Sequence, residues 1–147
     1  HRGKKSLTLN LKSAAGRELF LRLAETADVV IEAFRPGVVA RLGVDYAAVR
    51  ARNPRIVYVS ISAFGQTGPL VDRPAHDLAV EAMCGLLSLN SDASGKPVLP
   101  AMPAGDMLAA TLALAGISMA QYRRTVTGTG DYLDLAMMDS ILAAMPN

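Results

Sequence analysis

Two short apolar runs, separated by helix signals, constrain this chain most. Ala27–Ile31 (ADVVI) and Ile56–Ile61 (IVYVSI) are almost wholly apolar and rich in β-branched residues. Each is too short for a helix and lacks the alternation of a half-exposed strand. Such runs are the mark of strands buried on both faces, which occur in parallel sheets covered by crossover helices. The intervening sequence supplies those helices. Pro36 suits the first turn of a helix over Val38–Leu42 that ends near Gly43. A second short helix is predicted over Tyr46–Arg52, stopped by Asn53-Pro54. Upstream, Ser6–Leu11 (SLTLNL) alternates and predicts a further strand. Ser13 is a candidate N-cap for a helix continuing over Arg17–Ala24, with Leu19, Phe20 and Leu23 on one face. Residues 6–62 thus read β-α-β-α-α-β, an open α/β layer with one parallel sheet. Ligands of such sheets sit beyond the carboxyl ends of strands, where this chain carries Lys12, Arg35 and Ser62-Ala63-Phe64-Gly65.

Helices and loops dominate the rest. Gly65-Gln66-Thr67-Gly68-Pro69 is a turn-rich loop with neither a G-x-G-x-x-G nor a Walker pattern. A helix is predicted over Leu78–Ser88, with Val80, Met83, Cys84 and Leu87 at core spacing. Asn90–Gly95 reads as a polar turn and Lys96–Pro103 as an extended connection. A long apolar helix is predicted over Met107–Tyr122, then a basic, Gly-punctuated turn over Arg123–Gly130. Arg123-Arg124 at the helix end offsets the macrodipole in the simplest reading. A strand over Asp131–Leu135 and a helix over Ala136–Met145 follow.

Composition bounds the function. Among 147 residues 51% are hydrophobic and 19% charged, so the chain has the means to fold around a core. A net charge of +2 argues against nucleic-acid or anionic-membrane partners. The apolar stretch 107–122 is too short and mixed for a membrane span. Cys84 alone gives no internal disulfide and fits a reducing compartment; one Cys and two His give no metal cluster of the usual type. No signal peptide is visible. The opening His1 and the closing Pro146-Asn147 lead the sequence reading to expect an internal segment of a longer protein.

Two residues carry candidate chemistry. Asp106 stands after Pro103-Ala104-Gly105, where loop is expected to turn into helix. It reads either as an N-cap or as a carboxylate held charged beside a cleft. His76 lies at a second loop-to-helix junction, with Asp77 beside it as the expected cap. A His and a carboxylate facing one carbon acid can exchange its proton, and a carboxylate alone can attack an activated acyl group. No G-x-S-x-G elbow is present.

A set of motifs then resembles the class III CoA-transferases, among them formyl-CoA transferase, carnitine CoA-transferase and α-methylacyl-CoA racemase. The set runs the length of the chain: Arg2-Gly3-Lys4-Lys5-Ser6, Glu32-Ala33-Phe34-Arg35-Pro36-Gly37, Arg41-Leu42-Gly43, Asn53-Pro54-Arg55, Ser60–Pro69, Ala75-His76-Asp77, Gly105-Asp106 and Thr127-Gly128-Thr129-Gly130. The resemblance implies a Rossmann-like large domain, an interlocked homodimer, a cytoplasmic setting and coenzyme A or acyl-CoA as substrate, with no prosthetic group and no metal. It implies that residues 1–64 form the β-α-β layer and 65–147 the active-site loops and helices. An N-terminal βα unit and a C-terminal small domain would lie outside the segment. Asp106 matches the family's catalytic aspartate, and His76 the histidine that partners it in racemases. Leu9, Asn10, Leu11, Lys12, Ala33, Phe34, Arg35, Arg41, Pro74, Ala75 and Asp77 match stretches that line the CoA site. Asn is frequent in the family where this chain has Ala33, and the glycines that follow the racemases' aspartate are here Met107-Leu108-Ala109-Ala110. The first functional reading is CoA transfer between carboxylic acids through Asp106. The second is racemisation α to a thioester by His76 and Asp106. The third is an inactive interaction module.

Overall fold

The computed structural model describes residues 3–145. Helix α1 spans Ala14–Ala24, strand β1 Val29–Glu32, helices α2 and α3 Val38–Leu42 and Tyr46–Arg52, and strand β2 Val57–Ser62. Helices α4 (Asp77–Met83), α5 (Leu86–Leu89) and α6 (Ala104–Thr127) follow, then strand β3 (Asp131–Ala136) and helix α7 (Met137–Ala144). The strands form one sheet in the order β1-β2-β3, and both pairings are parallel.

Helices cover both faces of this sheet. Successive side chains of β2 point to opposite sides. On one side Tyr58 joins Ile56, Ala24 and Val49, closed by Phe20 and Val30, so α1 and α3 pack there. On the other, Val57 and Val59 meet Ala113 and Ala120 of α6, together with Leu133 and Leu135. Alanines on that face of α6 let its backbone lie close to the sheet. The Tyr58 hydroxyl, buried, donates to the Val44 carbonyl at 2.9 Å. Asn53 ties the layer below: its amide donates to the carbonyls of Ala24 and Ala27 at 3.0 and 2.9 Å. A third apolar cluster, Val80, Ala109, Met137 and Ile141, joins α4, α6 and α7 beyond the carboxyl end of β2 and β3.

Several expectations are corrected. Ser6–Leu11 forms no strand: no described backbone pairs with it, and Leu7 is exposed. Its alternation was real, but a strand needs a ladder. Instead the Asn10 carbonyl accepts from the Ser13 N–H at 3.1 Å and turns the chain into α1. Ser13 does cap α1, its Oγ accepting from Gly16 N at 3.1 Å. The buried face of α1 is Phe20, Leu21 and Ala24, whereas Leu19 and Leu23 are exposed. Ile31 in β1 is likewise exposed. The helix expected over 78–88 is two helices, because Gly85 takes a left-handed φ of 87° that a continuous helix cannot hold. Helix α6 outruns its expected span at both ends, since nothing breaks it before Gly128. Arg123 and Arg124 therefore belong to the helix. Arg124, in the last turn, bonds to Asp28 Oδ1 at 2.8 Å and to the Arg55 carbonyl at 3.1 Å, and Arg123 pairs with Asp131. No described helix is long and apolar enough to cross a membrane.

Candidate active site

The strands' carboxyl ends open into a cleft of about 340 Å³. Three stretches wall it. After β1, the Ala33-Phe34-Arg35-Pro36 turn is fixed from within, because buried Glu32 accepts the Phe34 N–H through Oε2 at 2.8 Å. At the end of β2, Ser62, Ala63 and Phe64 form the floor. The third wall is the loop Arg73-Pro74-Ala75-His76, which leads into α4. The head of α6 closes the cleft with Asp106.

Asp106 is the third residue of α6, not its cap; the N-cap is Pro103, which offers no side chain for the role. Acceptors come from another helix instead. Asp77 Oδ1, on the first turn of α4, accepts the Asp106 N–H at 3.0 Å. One turn further along α4, Glu81 Oε1 accepts the Ala104 N–H at 2.9 Å. Asp77 thus caps α6 rather than α4, whose N-cap position is His76. Gly105 makes this approach possible: a Cβ there would stand 3.0 Å from Asp77 Oδ1 and 3.2 Å from Ile141 Cδ1. The Asp106 carboxylate itself is exposed and holds no hydrogen bond among the described residues. It sits at a helix N-terminus, where the dipole favours negative charge.

Burial pushes the Glu81 carboxyl above the ordinary range, and neighbouring Asp77 adds to the rise against the lowering pull of the Ala104 N–H. Glu81 is fully buried, and its Oε2 has no hydrogen-bond partner. Ser62 Oγ at the cleft floor is also buried and unpartnered.

Of the residues singled out from sequence, Ala33, Phe34, Arg35, Pro74, Ala75, His76, Asp77 and Asp106 line this one cleft. Leu9, Asn10, Leu11, Lys12 and Arg41 stand outside its lining. Leu9–Lys12 forms the turn into α1, where Asn10 Oδ1 accepts the Lys12 N–H at 3.1 Å. The Arg41 guanidinium folds back over the turn at Gly37, whose added Cβ would lie 3.2 Å from Nη1. Arg73 went unnoticed in the sequence, although a cation three residues before His76 was a usable signal. Glu81 was missed too; its place inside an apolar helical stripe was the clue. No group of His, Cys, Asp and Glu suited to a metal ion occurs among the described residues.

An open parallel sheet with helices on both faces, and a cleft beyond its carboxyl ends, defines a protein of the open α/β class. Within that class the chain belongs to CoA-transferase family III, whose model matches residues 1–147. It is 42% identical over 144 residues to the acetyl-CoA:oxalate CoA-transferase of Acetobacter aceti, covering 97% of this chain and 37% of that protein. It is 35% identical to the succinate–glutarate CoA-transferase of Agrobacterium fabrum, covering 100% of this chain and 37% of that protein. A CaiB/BaiF family protein from Brucella suis superimposes with a TM-score of 0.92 at 34% identity, over 96% of this chain and 37% of that one. The chain therefore spans somewhat more than a third of the length of these relatives.

Proposed function

We propose that this chain supplies the catalytic cleft of an enzyme that moves CoA between carboxylic acids, with Asp106 as nucleophile. The observation that carries this reading is the Asp106 carboxylate, free of hydrogen bonds among the described residues at the head of α6 and opening on the cleft. Its carboxylate attacks the acyl-CoA carbonyl, and the CoA thiolate leaves a mixed anhydride. The thiolate then attacks the aspartyl carbonyl, forming an aspartyl-CoA thioester and releasing the donor acid. The acceptor carboxylate repeats the sequence in reverse and departs as the new acyl-CoA, restoring Asp106. Each step is acyl transfer from an activated carbonyl, so no redox partner is needed.

Arg35 and Arg73 line the cleft and present guanidinium groups suited to carboxylate or phosphate. Leu9–Lys12, Ala33–Arg35, Arg41 and Pro74–Asp77 are assigned to CoA, with Arg41, Lys12 and Arg35 toward its phosphates. The relatives named for oxalate, succinate and glutarate support short carboxylic acids as the substrate class. The full-length protein is assigned as a homodimer acting in the cytoplasm. A second reading, racemisation α to a thioester, is favoured by one observation: His76 lines the same cleft as Asp106.

Incubation of the full-length protein with an acyl-CoA and isotopically labelled acids separates the readings. Label entering new thioesters is the expected result. Deuterium entering the α-position from solvent, with no new thioester, would replace transfer by racemisation. Neither change would leave this chain as an interaction module.

A further inference from the structure

Glu81 is a buried acid that the transfer mechanism does not use. It has no exposed surface, yet it lies on a short helix whose outer residues are solvated. Its two oxygens differ. Oε1 accepts the Ala104 N–H at 2.9 Å, whereas Oε2 is buried without a partner. An ionised carboxylate only accepts, so Oε2 would hold uncompensated charge in the interior, at a large cost. One turn away, Asp77 commits Oδ1 to the Asp106 N–H. Two ionised carboxylates side by side repel; one proton between them turns repulsion into a hydrogen bond.

We propose that Glu81 is a positioning residue that works as a neutral carboxylic acid: Oε1 accepts from Ala104, the Oε2 hydroxyl donates to Asp77, and the pair holds the head of α6 so that Asp106 faces the cleft. The assignment of Asp106 as the reacting group rests on the function proposed above. The charge state of Glu81 does not. Titratable or charged groups on the elements around Glu81 are Asp77 in the first turn of α4 with His76 and Cys84 at its two caps, Asp106 and, toward the far end, Tyr122, Arg123 and Arg124 in α6, and Asp139 in α7; α5 carries none. Among them only Asp77 bears on the Glu81 carboxyl, and it acts in the same direction as burial. The folded carboxyl therefore titrates above its unfolded range. Its contribution is full at acidic pH and is lost as pH rises through the folded value.

The test uses the full-length protein with Glu81→Gln and Glu81→Leu. Glutamine keeps an acceptor for Ala104 and a donor for Asp77 but cannot ionise. Wild type minus Glu81→Gln infrared spectra should show a protonated-carboxyl C=O band that disappears as pH is raised, while the melting temperature of wild type falls. In Glu81→Gln that fall should be absent and turnover at neutral pH should stay within threefold. Its alkaline limb in the turnover profile should flatten. Glu81→Leu should lose turnover tenfold or more without a change of similar size in KM. Absence of the carboxylic-acid band, or a pH dependence of melting unchanged in Glu81→Gln, would overturn the proposal even if the protein proves not to be a transferase. So would Glu81→Gln impaired as severely as Glu81→Leu, because the charge itself would then be required.

Discussion

Replacing Asp106 by Asn separates what its carboxylate does for the fold from what it does for chemistry. The backbone N–H of residue 106 still reaches Asp77 Oδ1, since that bond is independent of the side chain. The carboxylate has no hydrogen bond of its own to lose among the described residues, and it is exposed. Only its interaction with the N-terminus of α6 disappears, about 0.3–1 kcal/mol at an exposed site. Relief of repulsion from Asp77, which stands against the same turn, offsets part of that. Stability should therefore fall by less than about 1 kcal/mol. Turnover should collapse, because an amide is a far weaker nucleophile and leaves no acyl-aspartyl intermediate. A loss on the order of 10⁴-fold corresponds to about 5 kcal/mol of transition-state stabilisation, several times the structural term. The assay is transfer of label from acyl-CoA to a second acid in the full-length protein, beside thermal melting and intact-protein mass after brief exposure to acyl-CoA. Wild type should show a covalent adduct and Asp106→Asn none. Turnover within tenfold of wild type would refute the role of Asp106. A stability loss above about 2 kcal/mol would refute the claim that its carboxylate is structurally idle.

Arg41→Ala should weaken CoA binding roughly tenfold or more, since a charge-assisted contact to phosphate is worth about 1.5–3 kcal/mol; unchanged affinity by calorimetry removes Arg41 from the site. His76→Ala should reduce transfer only modestly and mainly through substrate binding, whereas a racemase would lose on the order of 10²–10⁴ in α-proton exchange; a loss of three decades there, with no transfer in wild type, would reverse the choice of reaction. Gly105→Ala should lower the denaturation midpoint: a Cβ at 3.0 Å from Asp77 Oδ1, 3.2 Å from Ile141 Cδ1 and 3.3 Å from Met137 Cε overpacks the site. Overpacking costs about 1–3 kcal/mol, against a gain of Ala over Gly that reaches only roughly 1 kcal/mol even in a helix interior, and residue 105 stands in the first turn. A raised midpoint would show that these side chains move aside freely.

Local signals were legible in the sequence where they act through the nearest few residues. The Ser13 cap, the bounds of α2 and α3, and the apolar run of β2 depend on sequence neighbours and were read nearly to the residue. Pairing is not a local property, and Ser6–Leu11 shows the difference: it has the pattern of a strand without a partner among the described residues. The face of α1 was misjudged for a related reason, since spacing marks an apolar stripe but not which of its edges meets the sheet. At the cleft, the topological rule placed Arg35 and Ser62–Phe64 correctly because parallel strands deliver their carboxyl ends to one side. It could not place Asp77 and Glu81, which act on the head of α6 rather than their own helix. That contact joins residues 23 and 29 positions apart and exists only once α4 and α6 pack through Val80 and Ala109.

The three carboxyl groups at the head of α6 follow a gradient of burial: Asp106 exposed, Asp77 half-buried, Glu81 enclosed. A helix N-terminus offers the equivalent of about half a positive charge, too little to balance three negative ones. The cost of a charge rises with its removal from water, so the proton settles on the innermost group. This divides the work without specialised residue types. On the proposed function, the outer carboxylate is left for chemistry, the middle one holds the backbone of the first turn, and the inner one, as proposed, acts as a neutral acid that steadies the second. Exchanging Glu81 for a permanently neutral amide should then leave the outer carboxylate almost untouched. Exchanging Asp77 for Asn leaves the burial that chiefly raises Glu81 but removes the charge that adds to the rise, and should move the alkaline fall in melting temperature to lower pH. If that fall stays in place in Asp77→Asn, the two groups are not coupled and the division of roles along α4 does not hold.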